Sequence, residues 1–495
     1  MKEARGSSWQ SAGFLIGTAL LAGGFYALKV LDYEQLHYRC DLFSMLESTR
    51  SWLDGRPLLH EARYGDPARM HNFYILLLFG PITTWLGAKG LFLVHAVVLW
   101  AVSAAVWRGF QRRGRSTEAS WLLALLYWGP YGFWLWMNPD MGWHIETFYL
   151  PFGALFALAL TTGRTGPVVA AGAVLIITRE DGPILAFSLH MLWYYLRHLD
   201  GRPVASWGPK LRGALGIGVL WGGWFLLEMA LLAYQNGDQP IRSTQVWLHF
   251  QHVPRADALR FAASTLGAGL VVWSPVVVLT GLLMGGRRAA ALVVLGAPLA
   301  FVMFWAGLIY YPLKEFSLSW NPRMALVWGY SVGGLLLMTH LRPAFVPRVQ
   351  PVRLALLTAV VLALQFGALA RHRQFEPFGL VARLLRAEAA PPSPERATLA
   401  YLARHIPRSA HVALEYYYYA PFEWHRYLWL ETKHFHNAPV AEPDVIIAAS
   451  PERPVPQADT LSWYLLDTAR YDRRRVGALV VLTRPGYPLT LPAPR

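Results

Sequence analysis

The sequence predicts an all-α polytopic membrane protein of about eleven transmembrane helices, with a small α/β domain at its C-terminal end. Three observations predict it. Of 495 residues, 55% are hydrophobic and 15% charged, where a soluble chain carries about a quarter charged. Apolar runs of about 17–25 residues recur with few charges inside them. Arg and Lys collect in short segments between alternate runs, which is the asymmetry that orients membrane helices. The net charge of +15 is therefore read as membrane orientation, and nucleic acid is excluded as a partner. The one cysteine, Cys40, excludes an internal disulfide and a cysteine metal cluster.

Lys2 and Arg5 precede the first apolar run, Ala12 to Val30, and put the N-terminus in the cytoplasm. No small-residue cleavage site follows that run, so it reads as an uncleaved helix. The first outer loop begins at Asp32 and carries Glu34, Asp41, Glu47, Asp54, Glu61 and Asp66 with His60 and His71. The stretch Phe73 to Leu86 is short and broken by Gly80-Pro81. It reads as a re-entrant or interfacial helix. A full span there would move Arg108, Arg112, Arg113 and Arg115 to the wrong side. Spans follow at 90–107, 119–137 and 145–162.

The apolar run Val168 to Tyr195 is interrupted by Thr178-Arg179-Glu180-Asp181-Gly182-Pro183. It splits into two spans with three charges at their outer turn. Further spans fall at 214–234, 261–284, 289–310, 324–338 and 354–369. An odd count leaves the C-terminal segment outside. The chain thus divides into a transmembrane module, 1–371, with its first outer loop at 32–88, a linker at 372–394 and an extracytoplasmic domain at 395–495. In that domain Glu395 to His405 has helical spacing. His411 to Leu414, Asp444 to Ala449 and Val476 to Leu482 read as strands. No Gly-rich phosphate loop is present, so no nucleotide is assigned. The aromatic run Tyr416 to Tyr419, with Phe422, Trp424, Tyr427 and Trp429, suits stacking on sugars, the headgroup level, or plain packing.

Ionisable residues at the membrane edge are the candidates for chemistry. Asp41 lies a few residues beyond the first helix, beside Leu42, Phe43 and Met45. It could act as a general base, hold a divalent metal such as Mg or Mn, or cap a helix. His144 and Glu146 flank one helix start, but an i, i+2 spacing does not put both on one helix face. Arg179 could hold a phosphate bidentately. Glu180 and Asp181 could hold a metal or share a proton with Asp41. Lys314 and Arg323, in a later outer loop, could meet the same anionic group. His71, His249 and His252 are further polar candidates, without convincing metal spacing. The candidate metal donors are Asp41, Glu180 and His144.

The blocks CDLF with WLDGRPLL, HNFYILLLFGPI, MGWHIETFYLPFGALFALAL and ITREDGPILAF resemble the bacterial membrane proteins of domain-of-unknown-function family 2079. The likeness covers about residues 31–200. Phe43 stands where that family has a glycine, and Arg179 where it has a lysine. The family is similar to the C-type glycosyltransferases, integral membrane enzymes that take sugars from polyprenyl phosphates. The resemblance implies such a transferase, with the acid of the first outer loop catalytic, which is Asp41 here. It implies a polyprenyl-phosphate sugar donor, a glycan, lipid or protein acceptor, and a place in the cell's inner membrane. A transporter or flippase and a non-catalytic scaffold are the readings from other classes.

Overall fold

The structure is a computed structural model that describes residues 2–36, 38, 40–60, 71–111, 127–128, 143–236, 251, 254–310, 324–341, 394–414, 418–425, 427–429, 443–449, 471–477 and 479–489. It is mostly helical, with a small C-terminal sheet. The helices are α1 (Lys2–Glu34), α2 (Cys40–Arg50), α3 (Leu76–Leu86), α4 (Ala88–Gln111), α5 (Tyr149–Thr162), α6 (Thr165–Thr178) and α7 (Gly182–Tyr194). After them come α8 (Gly208–Asn236), α9 (Arg255–Met284), α10 (Gly286–Leu295), α11 (Ala297–Tyr310), α12 (Met324–Leu341) and α13 (Pro394–His405).

Among the described residues, five helices have the length and composition of membrane spans. They are Ser11–Glu34, Ala88–Gly109, Ile145–Thr162, Gly208–Gln235 and Met324–Leu341. A sixth is the pair α10 and α11, bent by 42°. This is the pattern of a multi-pass membrane protein. On α8, Leu215, Val219 and Leu226 are each more than 60% exposed, which suits contact with lipid tails.

Two of the expected spans differ in their bounds. The apolar run 168–195 forms two short helices, of 14 and 13 residues, because Arg179 takes an extended backbone (φ −175°) that ends the first. The long helix α9 begins at Arg255, six residues before the span expected from Phe261, and contains the whole of that stretch. The span at 354–369, most of that at 119–137, and the linker lie outside the described residues. The stretch Phe73–Leu86 contains an 11-residue helix with Pro81 inside it. On its outer face Leu78, Ile82, Trp85 and Leu86 are exposed, as in a helix lying at an interface.

Helix packing puts several loops at one end of the bundle. α1 and α4 run antiparallel, with Phe14 stacked on Trp107 and Phe25 edge-on to His95. Their interface buries Lys29, Asp32 and His95, with the Lys29 ammonium 5.4 Å from the Tyr38 ring. α5 and α12 run parallel and touch closely. A Cβ on Gly153 would lie 3.1 Å from the Gly329 carbonyl oxygen. α7 and α8 run antiparallel, with the Tyr194 hydroxyl donating to the Lys210 carbonyl (2.7 Å). The end of α1, the starts of α4, α5 and α12, the α6–α7 turn and the end of α8 therefore share one end.

The C-terminal sheet has five strands: β1 (His411–Leu414), β2 (Tyr427–Trp429), β3 (Val445–Ala449), β4 (Asp472–Val476) and β5 (Leu479–Thr483). Their order is β2-β1-β3-β5-β4. The pairs β1–β2 and β1–β3 are parallel, while β3–β5 and β4–β5 are antiparallel. The expected single strand 476–482 is instead the core of a hairpin. Gly477, at φ +58°, turns the chain between β4 and β5. The edge strand β4 exposes Arg473, Arg474 and Arg475, charges that discourage edge-to-edge pairing. In the aromatic run, Tyr419 and Phe422 are buried, and the Tyr419 hydroxyl donates to the Leu414 carbonyl. These two rings pack inside the protein.

This domain docks on the helical module at that shared end. Tyr33 donates to the Ala420 carbonyl (3.0 Å). Arg50 donates to the carbonyls of Glu423 (2.9 Å) and Thr83 (2.6 Å) and stacks on Trp424 at 4.5 Å. The Glu423 carboxylate accepts the Ala88 N–H at the start of α4 (2.9 Å). Burial raises the Glu423 pKa, against the opposing pull of the Ala88 N–H, Tyr33, Arg50 and Lys89. A raised carboxyl pKa contributes stability that is full below the ordinary value of 4.5 and is lost as pH rises through the shifted value. Proteolysis between the domain and the bundle is therefore expected to quicken from pH 5 to pH 8. The variant Glu423→Gln should flatten that dependence, and an unchanged slope would exclude Glu423 as its source.

Candidate functional site

Six of the sequence candidates converge on the α6–α7 turn. Arg179 is 1% exposed, and carboxylates or His71 face all three of its guanidinium nitrogens. Its Nη1 pairs with Glu146. Its Nε lies 3.1 Å from Glu180 Oε1 and 3.9 Å from Asp181 Oδ2. Its Nη2 lies 3.3 and 3.4 Å from the two ring nitrogens of His71. A buried guanidinium is tolerable only with such partners. Arg179 therefore does not present a free fork to a phosphate, contrary to the sequence expectation; its donors serve the protein's own carboxylates.

The first outer loop supplies the opposite wall. The Ile75 N–H donates to the Ile177 carbonyl in the last turn of α6 (2.8 Å), which brings residues 71–75 against the turn. His71 Nδ1 is 2.7 Å from Glu180 Oε1. The Asn72 backbone N–H donates to the other oxygen, Oε2, at 3.3 Å. The ring of His71 lies 4.9 Å from that of Phe73, and Phe73 also sits 5.7 Å beneath Arg179. Burial alone would raise the Glu180 pKa. The charges of His71 and Arg179 and the His71 hydrogen bond outweigh it and hold the carboxyl well below its usual range. Arg179, despite burial, is held charged by Glu180, Asp181 and Glu146.

Residues at the start of α5 complete the cluster. His144 is extended (φ −124°, ψ 132°) before a 3₁₀ turn, Ile145–Phe148. That irregular start lets His144 Nδ1 come within 3.7 Å of Glu146 Oε2, despite the i, i+2 spacing. Tyr149 donates its hydroxyl to Asp181 Oδ1. Asp181 sits at the N-terminus of α7, where the helix dipole favours a negative charge.

Three participants were not among the sequence candidates: Tyr149, Asn72 and Glu228. Asn72 Nδ2 donates to the Glu228 carbonyl (3.2 Å) and to Glu228 Oε2 (3.3 Å). Glu228 had a signal in the sequence, since it is the lone acid in the apolar run 214–234. Tyr149 had none that separates it from the chain's other aromatics.

Asp41 is in the first turn of α2, and its side chain lies outside the described residues, as do Lys314, Arg323, His249 and His252. Among the described residues no group of three or more His, Cys, Asp or Glu is placed to hold a metal ion. The centre of the cluster, where a cation would sit, is occupied by the Arg179 guanidinium.

The chain matches no protein family, and no curated protein or solved structure is similar to it.

Proposed function

We propose that the protein is an integral membrane glycosyltransferase of the C type, moving a sugar from a polyprenyl-phosphate donor to an extracytoplasmic acceptor with inversion. In this reading it resides in the cell's inner membrane, with about eleven spans, a cytoplasmic N-terminus and the C-terminal domain outside. One observation carries the reading: the hydrogen bond between His71 and Glu180 at the bundle end that the first outer loop covers. A carboxylate that accepts from Nδ1 fixes the imidazole tautomer and leaves Nε2 as the basic nitrogen, which takes a proton once Arg179 Nη2, 3.4 Å away, gives way. Such a nitrogen can take the proton of an acceptor hydroxyl as that oxygen attacks the sugar's anomeric carbon.

Inversion needs one displacement, in which the bond to the lipid phosphate breaks as the new glycosidic bond forms. The leaving phosphate then needs cations, and Arg179 is already committed to carboxylates. We assign that role to Lys314 and Arg323, the cations that precede α12 in the sequence. Asp41 remains the family-derived candidate for the base. No step is routed through a metal.

The test is transfer of labelled sugar from a short-chain polyprenyl phosphate in membranes. His71→Gln is expected to lower the rate at least ~100-fold, the usual contribution of a general base, with the folded protein still present. Undiminished transfer in that variant would remove His71 from the chemistry, and the same result in Asp41→Asn would remove Asp41. A second reading, transport of a polar or lipid-linked substrate, is favoured by Glu228. It is a buried acid on a span beside a broken helical hairpin. It would require labelled substrate to cross the membrane without transfer.

A further inference from the structure

Glu228 and Asn72 hold two acceptor atoms that the site described above leaves unused. Glu228 is 5% exposed and Asn72 is fully buried. Glu228 Oε1 and Asn72 Oδ1 are both buried and have no hydrogen-bond partner among the described residues. The orientation of the amide is fixed by its neighbours. Its nitrogen faces two oxygens of Glu228, at 3.2 and 3.3 Å. Turning the amide over would set oxygen against oxygen, so Oδ1 is the atom left without a donor. Leaving a buried acceptor unsatisfied costs about 1–3 kcal/mol, and two occur on one bonded pair.

The local charge points to what would fill them. Glu180, held by the Asn72 N–H (3.3 Å), is the nearest linked carboxylate. Glu146, Glu180 and Asp181 share the one guanidinium of Arg179. Glu228 adds a further carboxylate and has no basic residue bonded to it among the described residues. With all four acids ionised, one arginine leaves a buried negative excess that His71 and His144 do not cancel even if both are protonated. Oxygen acceptors with a negative excess suit a hard cation. One carboxylate supplies a single negative charge, which matches a monovalent ion with water completing its shell and falls short of the several carboxylates a divalent ion takes.

We propose that Glu228 and Asn72 bind a small monovalent cation of the sodium class on the inner wall of α8. The site lies about two turns, roughly 12 Å, before the end of that helix at Asn236. Its neighbours Leu226 and Leu227 face outward, 67% and 56% exposed. The cation would tie α8 to the first outer loop through Asn72. This inference does not depend on the transferase reading.

The deciding experiment is carbodiimide labelling of the full chain in detergent, located by mass spectrometry. Dicyclohexylcarbodiimide attacks a membrane carboxyl in its protonated form, and a bound cation displaces that proton. Labelling at Glu228 is expected to slow several-fold in sodium chloride relative to choline chloride at equal ionic strength and pH. Sodium should also raise the melting temperature of the wild type by a few degrees and leave that of Glu228→Gln unchanged. Equal labelling rates in the two salts would overturn the proposal, showing that the two acceptors are served by water or by a proton on Glu228. The labelling uses only the wild-type chain, so it decides even if Glu228→Gln does not fold.

Discussion

Arg179→Ala is expected to destabilise the helical module by about 3–5 kcal/mol, the cost of stranding buried partner charges. The guanidinium is 1% exposed and is shared by Glu146, Glu180 and Asp181. Without it the three acids face each other and must take up protons, draw in water or part. Arg179→Lys should recover only some of the loss, because one ammonium cannot reach three partners in a plane. Thermal unfolding in detergent checks this; an alanine variant that melts with the wild type would mean that the carboxylates are neutralised by something other than Arg179. Acid should act in the same direction. The Glu180 pKa is depressed, so its contribution is full above the ordinary value of 4.5 and is lost as pH falls through the shifted value.

Gly329→Leu should be nearly as damaging, by about 3 kcal/mol or more, since overpacking here pushes on backbone. A Cβ on Gly329 would run into the Tyr149 carbonyl, and one on Gly333 would lie 3.2 Å from the Gly153 carbonyl oxygen. These glycines let α12 lie directly on α5, as small residues do between membrane helices. Forcing the two apart would also shift Tyr149 away from Asp181, so under the proposed transferase reading sugar transfer should fall along with stability. Gly218→Leu on α8 is the control. Nothing lies within 4 Å of a Cβ there, and its melting temperature should stay close to wild type. Equal stability for Gly329→Leu and Gly218→Leu would contradict the close contact of α5 and α12.

The cluster around Arg179 was legible because charges inside apolar runs have few places to go. Arg179-Glu180-Asp181 breaks one such run, and His144 and Glu146 begin another. What was not legible was who pairs with whom. Arg179 was read as facing a ligand, yet nothing local in the sequence reveals that Glu146, 33 positions away, already occupies it. The β4–β5 hairpin was hidden for a related reason. Its tight turn carries Gly477 at φ +58°, and β4 reads DRRRV, a charged edge strand with no alternating apolar pattern. The break inside residues 168–195 was legible from its three charges, while the lengths of the two helices, 14 and 13 residues, were not.

The Arg50 side chain bonds Thr83 on one side and, 373 positions further along, Glu423 on the other. The ribosome makes these partners far apart in time. Until the last part of the chain emerges, the Arg50 guanidinium has only the Thr83 half of its final environment. The first loop can therefore fold early but is fastened late, and cells shedding the terminal domain would keep the bundle while losing that fastening.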